Sequence, residues 1–225
     1  MPEEHIKDMD LDGVDVAIIY PTVGLMLYSG PDSDLLTSIC RPYNDWVGEF
    51  CSAAPKRLKG IAMLNVDEVG DGVTELERCA KMGFVGAMIA VYPLDGRSYD
   101  RPEYEPLWAA AQDLGMPIGL HNGTNRPGPG NQFADLDTTK HSFMSSIDHW
   151  VRMSLADIIL NGVFERYPTL QVGSVEHELS WVPHFLSQMD NSYTQDAIGG
   201  SQLKEGALPS DFFHNNVFIG FQEDA

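Results

Sequence analysis

Residues 83–121 read GFVGAMIAVYPLDGRSYDRPEYEPLWAAAQDLGMPIGLH, and this stretch sets the fold class. Gly86 to Ala90 (GAMIA) is an apolar run of strand length that empties into a loop at Tyr92-Pro93. Tyr104, Leu107, Trp108, Ala111 and Leu114 then recur at three- and four-residue spacing, the stripe of an amphipathic helix. Gly115 closes that helix, and Pro117 to His121 (PIGLH) is a second apolar run whose last residue is polar. Strand, helix and strand in this order predict a parallel pair joined by a helical crossover.

The same alternation extends both ways. Toward the N-terminus, Asp15 to Tyr20 (DVAIIY) and Gly60 to Asn65 (GIAMLN) read as strands. Between them Leu35, Leu36, Ile39, Tyr43, Trp46, Val47 and Phe50 form a helical stripe that Pro42 is expected to end, kink or split. Val73, Leu76 and Ala80 mark the next helix, with Gly83 at its C-terminus. Toward the C-terminus, Ile147, Trp150, Val151, Leu155, Ile158 and Ile159 give a helix, and Leu170 to Val175 (LQVGSV) a strand ending at Glu176-His177. Trp181, Phe185, Leu186 and Met189 give a further helix, and Val217 to Gly220 (VFIG) a sixth strand. Six strands alternating with helices predict a parallel α/β sheet. A glycine-rich dinucleotide turn and a phosphate-binding loop are both absent from the sequence, which disfavours an open doubly wound sheet. Tyr20, Asn65, Tyr92, His121, Glu176 and His177 stand at strand ends, where the catalytic groups of a βα barrel sit. Residues 122–141 are rich in Gly, Pro and Asn without periodicity, and so long a loop is usually functional.

Composition narrows the partners. The 225 residues are 43% hydrophobic and 21% charged, a profile that provides one sizeable core. Fourteen Lys plus Arg against 33 Asp plus Glu give a formal charge of −19, which repels nucleic acid and anionic membranes. Cys40, Cys51 and Cys79 are odd in number and lack CxxC spacing, as expected of reduced thiols in a cytoplasmic protein. The start, MPEEHIKDMDLDG, is acidic without an apolar leader region, and His5 is expected to lie in a frayed end. A closed eight-stranded barrel typically takes about 250 residues, so the chain is slightly short for one.

His121, at the end of an apolar strand beside the long loop, is the best single candidate for a metal ligand, against a hydrogen-bonded core histidine. Of Glu176 and His177, strand alternation lets only one look into a barrel interior, as metal ligand or general acid/base. His149 and His184 fall in helical stretches, His214 in a polar connection, and His141 at the end of the long loop, within reach of a substrate. Neither HExxH nor GxSxG nor a zinc-finger spacing occurs.

Met9 to Thr22 (MDLDGVDVAIIYPT), Pro117 to Gly123 (PIGLHNG), Tyr167 to Asp190 (YPTLQVGSVEHELSWVPHFLSQMD) and Leu208 to Ala225 (LPSDFFHNNVFIGFQEDA) resemble the amidohydrolase-related family, in its subgroup akin to aminocarboxymuconate-semialdehyde decarboxylase. The resemblance implies a distorted, TIM-barrel-like (β/α)8 fold binding one divalent metal, zinc first and manganese second, at the strand C-termini. In that family the first strand supplies an HxH or ExH pair, the fifth a histidine, the sixth a histidine near the metal and the eighth an aspartate. Carried over, His121 matches the fifth-strand ligand, and the sixth-strand position falls on Glu176 or His177. His177 is preferred as the catalytic acid/base, with Glu176 kept beside it. The first eight residues (MPEEHIKD) hold no HxH and the sequence closes on FQEDA, so the six strands map to the second through seventh of eight. The expectation is one incomplete barrel domain over residues 1–225, a fragment lacking strands 1 and 8 and holding its metal weakly or not at all. The implied function is a metal-dependent carboxy-lyase (decarboxylase) for a small carboxylated, aromatic-derived substrate. A hydrolase of the same family and a non-catalytic fragment are the alternatives, and a homodimer is kept as an option.

Overall fold

A computed structural model describes residues 1–94, 96–127, 141, 145–195, 203–204 and 206–222. The chain begins with α1 (Pro2–Asp12), β1 (Ala17–Ile19), a 3-10 segment (Val23–Ser29) and α2 (Ser33–Ser52). It continues through β2 (Leu58–Met63), α3 (Val69–Lys81), β3 (Gly86–Ile89), a 3-10 turn (Pro102–Tyr104), α4 (Glu105–Leu114) and β4 (Ile118–His121). Then come α5 (His149–Leu160), α6 (Val163–Arg166), β5 (Val172–Val175), α7 (Val182–Thr194), α8 (Pro209–Asn216) and β6 (Val217–Gly220). All six strands of the described residues pair in parallel and in chain order, as the alternation predicts.

Period-two alternation gives the sheet two faces. On the helix-covered face, Ala62, Ala87, Ile89, Ile118, Leu120 and Val172 join Leu76, Leu107, Trp108 and Leu155 in one core. On the other face, Ile61, Met63, Met88 and Ala90 pack with Tyr28, Leu36 and Cys40, and Tyr20 lies against them. Burying each large side chain contributes roughly 1.5–3 kcal/mol. This second face is the inside of a curve. Tyr20 follows β1 and His121 ends β4, three strand spacings apart, which in a flat sheet is about 14 Å. Their ring centroids are 5.5 Å apart. The sheet is therefore rolled into a half-barrel, and Gly173 makes room within it, since a Cβ there would collide with the Phe218 ring.

Three expectations are corrected, the first being that His214 lies in a polar connection: Pro209–Asn216 form α8, with Pro209, Phe213 and Asn216 buried. Pro42 neither ends nor splits the helix around it, because α2 runs through it from Ser33 to Ser52. The missing N–H removes one bond, while Leu36, Cys40, Asn44 and Val47 stay buried along one face, and Asn44 bonds Met63 of β2 through both its side-chain amide and its carbonyl oxygen. Nor is the start frayed. Residues 2–12 form α1, with Pro2 and Glu3 in the first turn and Gly13 in the left-handed conformation that ends the helix. His5 packs edge-on against Phe50, at 6.0 Å between centroids. Of the long loop at 122–141, residues 128–140 lie outside the described residues.

Candidate active site

The C-terminal ends of β1, β4 and β5 bring Tyr20, His121 and Glu176 together on the inner face. His121 shares that face with Gly119, two residues back. The turn after it is locked by Thr124, whose hydroxyl donates to the His121 carbonyl (2.7 Å) and accepts from the Val91 N–H (2.8 Å). His121 is 2% exposed, and its Nδ1 lies 2.9 Å from the Asn122 carbonyl oxygen. A carbonyl can only accept, so Nδ1 carries a hydrogen, and it is Nε2 whose lone pair the neutral ring presents. Facing that lone pair, Glu176 Oε2 stands 3.7 Å away on a side chain 39% exposed.

Glu176 reaches this position through an unusual backbone. Its φ is 61°, in the left-handed region, while its N–H still donates to the Gly220 carbonyl at the end of β6. The next side chain, His177, is 1% exposed, and its Nδ1 lies 3.1 Å from the hydroxyl of Ser174. Its Nε2 is buried and without a hydrogen-bond partner among the described residues. Burial, and then the neighbouring His121, push the His177 imidazole down to about 3. His177 is therefore a neutral ring at ordinary pH. Glu176, not His177, stands opposite His121 in open contact with solvent. Burial, and then the Glu176 carboxylate, raise the Tyr20 phenol, which keeps its proton and so remains a donor.

The remaining strand-end residues are structural. Asn65 spends its amide on Ser33 and Thr37 and its carbonyl oxygen on the Asp67 N–H. Tyr92 packs at a tilt against Trp150, 4.6 Å between ring centroids. His141, His149, His184 and His214 are exposed. Cys40, Cys51 and Cys79 are free thiols; burial pushes those of Cys40 and Cys79 up to about 12. No helix among the described residues is long and apolar enough to cross a membrane.

One buried pair beside the site has no counterpart in the sequence reading. Arg126, five residues after His121, is 1% exposed and donates through Nε and Nη2 to the Asp67 carboxylate, the shortest contact being 2.6 Å. Its Nη1 donates to the carbonyls of Tyr28 (2.5 Å) and Gly30 (2.6 Å). The Tyr28 hydroxyl in turn donates to Leu64 and Met88 carbonyls. Arg126 thus straps the 3-10 segment over the ends of β2 and β3. Asp67 and Arg126 lie 59 positions apart, so no local pattern announces them.

The residues at the strand ends suit a divalent cation in part: an imidazole with its tautomer fixed, and a carboxylate facing it. Among the described residues no group of three or more His, Cys, Asp or Glu comes together, so His121 and Glu176 form a pair of donors and not a closed shell.

The Amidohydro_2 (amidohydrolase) family model matches residues 1–183. The chain belongs to this amidohydrolase family. Among its curated relatives, gamma-resorcylate decarboxylase of Polaromonas sp. JS666 is 27% identical over 202 residues, 84% of this chain and 59% of that protein. The 2-amino-3-carboxymuconate-6-semialdehyde decarboxylase of Dictyostelium discoideum is 22% identical over 88% of this chain and 57% of its own length, in line with the expected subgroup. The amidohydrolase chain thus spans somewhat less than three-fifths of these two relatives. Its fold matches that of a dihydroxybenzoic acid decarboxylase from Polaromonas sp. JS666, solved with manganese and the inhibitor 2-nitroresorcinol. That match has a TM-score of 0.76 at 23% identity and covers 97% of this chain and 67% of the solved one.

Proposed function

We propose that the protein carrying this chain is a metal-dependent decarboxylase of small aromatic carboxylates, with His121 Nε2 as a metal ligand and Glu176 as the proton carrier. The observation that carries this reading is the convergence of His121 and Glu176, 3.7 Å apart, at the strand ends of an amidohydrolase half-barrel. The curated decarboxylases of aromatic acids among its relatives support the reaction class, and the manganese in the solved relative supports a divalent cation. Zinc remains the first expectation from the donor chemistry of an imidazole. Such a cation, when bound, offers positive charge to a carboxylate substrate.

The chain's own residues do the rest. His121 holds its Nε2 lone pair in place through the Nδ1–H bond to Asn122. Glu176, connected to solvent, takes a proton from water and gives it to the ring carbon as the carbon–carboxyl bond breaks and CO2 departs. His177, a neutral ring hydrogen-bonded to Ser174, stays buried beside the pair.

The test is CO2 release from 2,6-dihydroxybenzoate by the protein supplied with manganese or zinc, beside His121→Ala and Glu176→Gln. The reading expects turnover in the parent, loss of bound metal with His121→Ala, and retained metal with at least about a hundredfold lower turnover for Glu176→Gln. Undiminished turnover in Glu176→Gln overturns the proton-carrier role, and no turnover of aromatic acids by the metal-loaded protein overturns the reaction class.

A further inference from the structure

Away from the strand ends, on the helix-covered side of the sheet, a cleft of about 170 Å³ opens at the start of β2. It lies between the last turns of α2, which supply Gly48 and Cys51, and the turn after α3, which supplies Met82 and Phe84; Leu58 of β2 also lines it. No Lys, Arg, His, Asp or Glu is among its walls. Its one hydroxyl, on Ser52, donates to the Glu49 carbonyl (2.7 Å), and burial keeps the Cys51 thiol protonated. Glycine at position 48 is the unexpected part. Inside a helix glycine is weaker than alanine, and the backbone of Gly48 is not in the left-handed region that would call for it. Nor does rigid packing demand it. A Cβ there would come within 2.6 Å of the Met82 methyl, the free end of a side chain 38% exposed, and 3.3 Å of the Phe84 ring. Gly60, by contrast, meets the buried Val47 and Phe84 side chains at 2.8 and 3.0 Å. Gly48 thus keeps open a space that an alanine would begin to fill.

We propose that this cleft binds a small uncharged apolar molecule, a single ring of the size of benzene or toluene, with Met82 as the movable lip that admits it. Three features set the ligand class. The volume fits one ring, since an apolar cavity of about 150 Å³ takes up benzene. The walls hold no counter-charge, so a carboxylate or ammonium group entering the cleft would lose hydration without compensation. The Phe84 ring and the Met82 thioether offer the edge and sulfur contacts that aromatic rings favour, and an unbranched methionine adapts its shape to what it covers. The site uses neither His121 nor Glu176 and stands independently of the decarboxylase reading.

The test is NMR on the chain as it stands, carbon-13-labelled in its methionine methyls, titrated with benzene and separately with benzoate, the same ring bearing a charge. Met82→Leu identifies the Met82 signal among the 10 methionines. Benzene is expected to shift that signal saturably and to show a nuclear Overhauser contact with the Met82 methyl, while benzoate leaves the signal where it was. Cys51→Leu, which puts a bulkier side chain in the cleft wall, is expected to weaken benzene binding at least about tenfold, with thermal melting as the check that it folds. Should that variant fail to fold, the benzene contact to Met82 in the parent decides alone. The absence of a saturable shift or of that contact in the parent, an equal response to benzoate, or full affinity in folded Cys51→Leu overturns the assignment and leaves the cleft a surface hollow.

Discussion

Glu176 occupies a backbone conformation that costs a side chain about 1–3 kcal/mol and costs glycine nothing. Replacing it by glycine relieves that strain and adds back roughly 0.5–1 kcal/mol of chain entropy, so the net effect on stability lies between neutral and about 2 kcal/mol favourable. Glu176→Gly should therefore melt no lower than the parent while losing the proposed decarboxylation, and Glu176→Ala, which keeps the strained backbone, should melt below Glu176→Gly. Calorimetry on the two variants checks the order; a Glu176→Gly protein that melts clearly lower would mean the carboxylate serves the fold. The same conformation explains what could be read in the sequence and what could not. His121, Glu176 and His177 were all legible as polar residues closing apolar runs. Which of Glu176 and His177 faces inward was not, because strand alternation presumes extended backbone, and the left-handed turn at Glu176 suspends it. Tyr20 was visible as a strand end, but its approach to His121 depends on how tightly the sheet rolls.

Among the elements, the strap made by Arg126 carries the heaviest electrostatic burden. The guanidinium and the Asp67 carboxylate are both buried, with the remaining donors of the guanidinium spent on Tyr28 and Gly30 carbonyls. Removing one partner strands the other charge in a dry place. Arg126→Ala should destabilise the chain by about 3–5 kcal/mol in urea unfolding, whereas replacing both Asp67 and Arg126 by apolar residues of similar size should recover much of that loss. A cost below about 1 kcal/mol for Arg126→Ala would show that the 3-10 segment is held by Tyr28 and its apolar neighbours alone. All six strands and helices α2, α3, α4, α5 and α7 were legible as apolar runs or stripes, whereas α6 and α8 were not, the short polar run of Pro209–Asn216 reading as a connection. Pro42 misleads because local propensity is a weaker term than the buried face of α2. The first helix was missed because its charged residues leave only Met9 buried, so it has no apolar stripe to recognise.

At the scale of the molecule, parallel strands in chain order with helices on one face form a half-barrel whose concave side gathers the strand ends. The alternation alone made the parallel sheet legible, and the absence of phosphate-binding glycine patterns pointed to a barrel. The depth of the curl was not legible, and Gly173 accepts the Phe218 ring at a distance that a side chain would exclude. We propose that this curl makes His121 and Glu176, 3.7 Å apart, one cation-binding pair in an otherwise acidic molecule of formal charge −19. Paramagnetic broadening of the chain's NMR signals by substoichiometric manganese tests it most directly, since weak binding at two donors still broadens nearby resonances. Selective loss of the His121, Glu176 and Tyr20 signals is expected, with those of Glu176 and Tyr20 retained in His121→Ala. Broadening centred instead on the acidic surface of α1, and unchanged by His121→Ala, would contradict it.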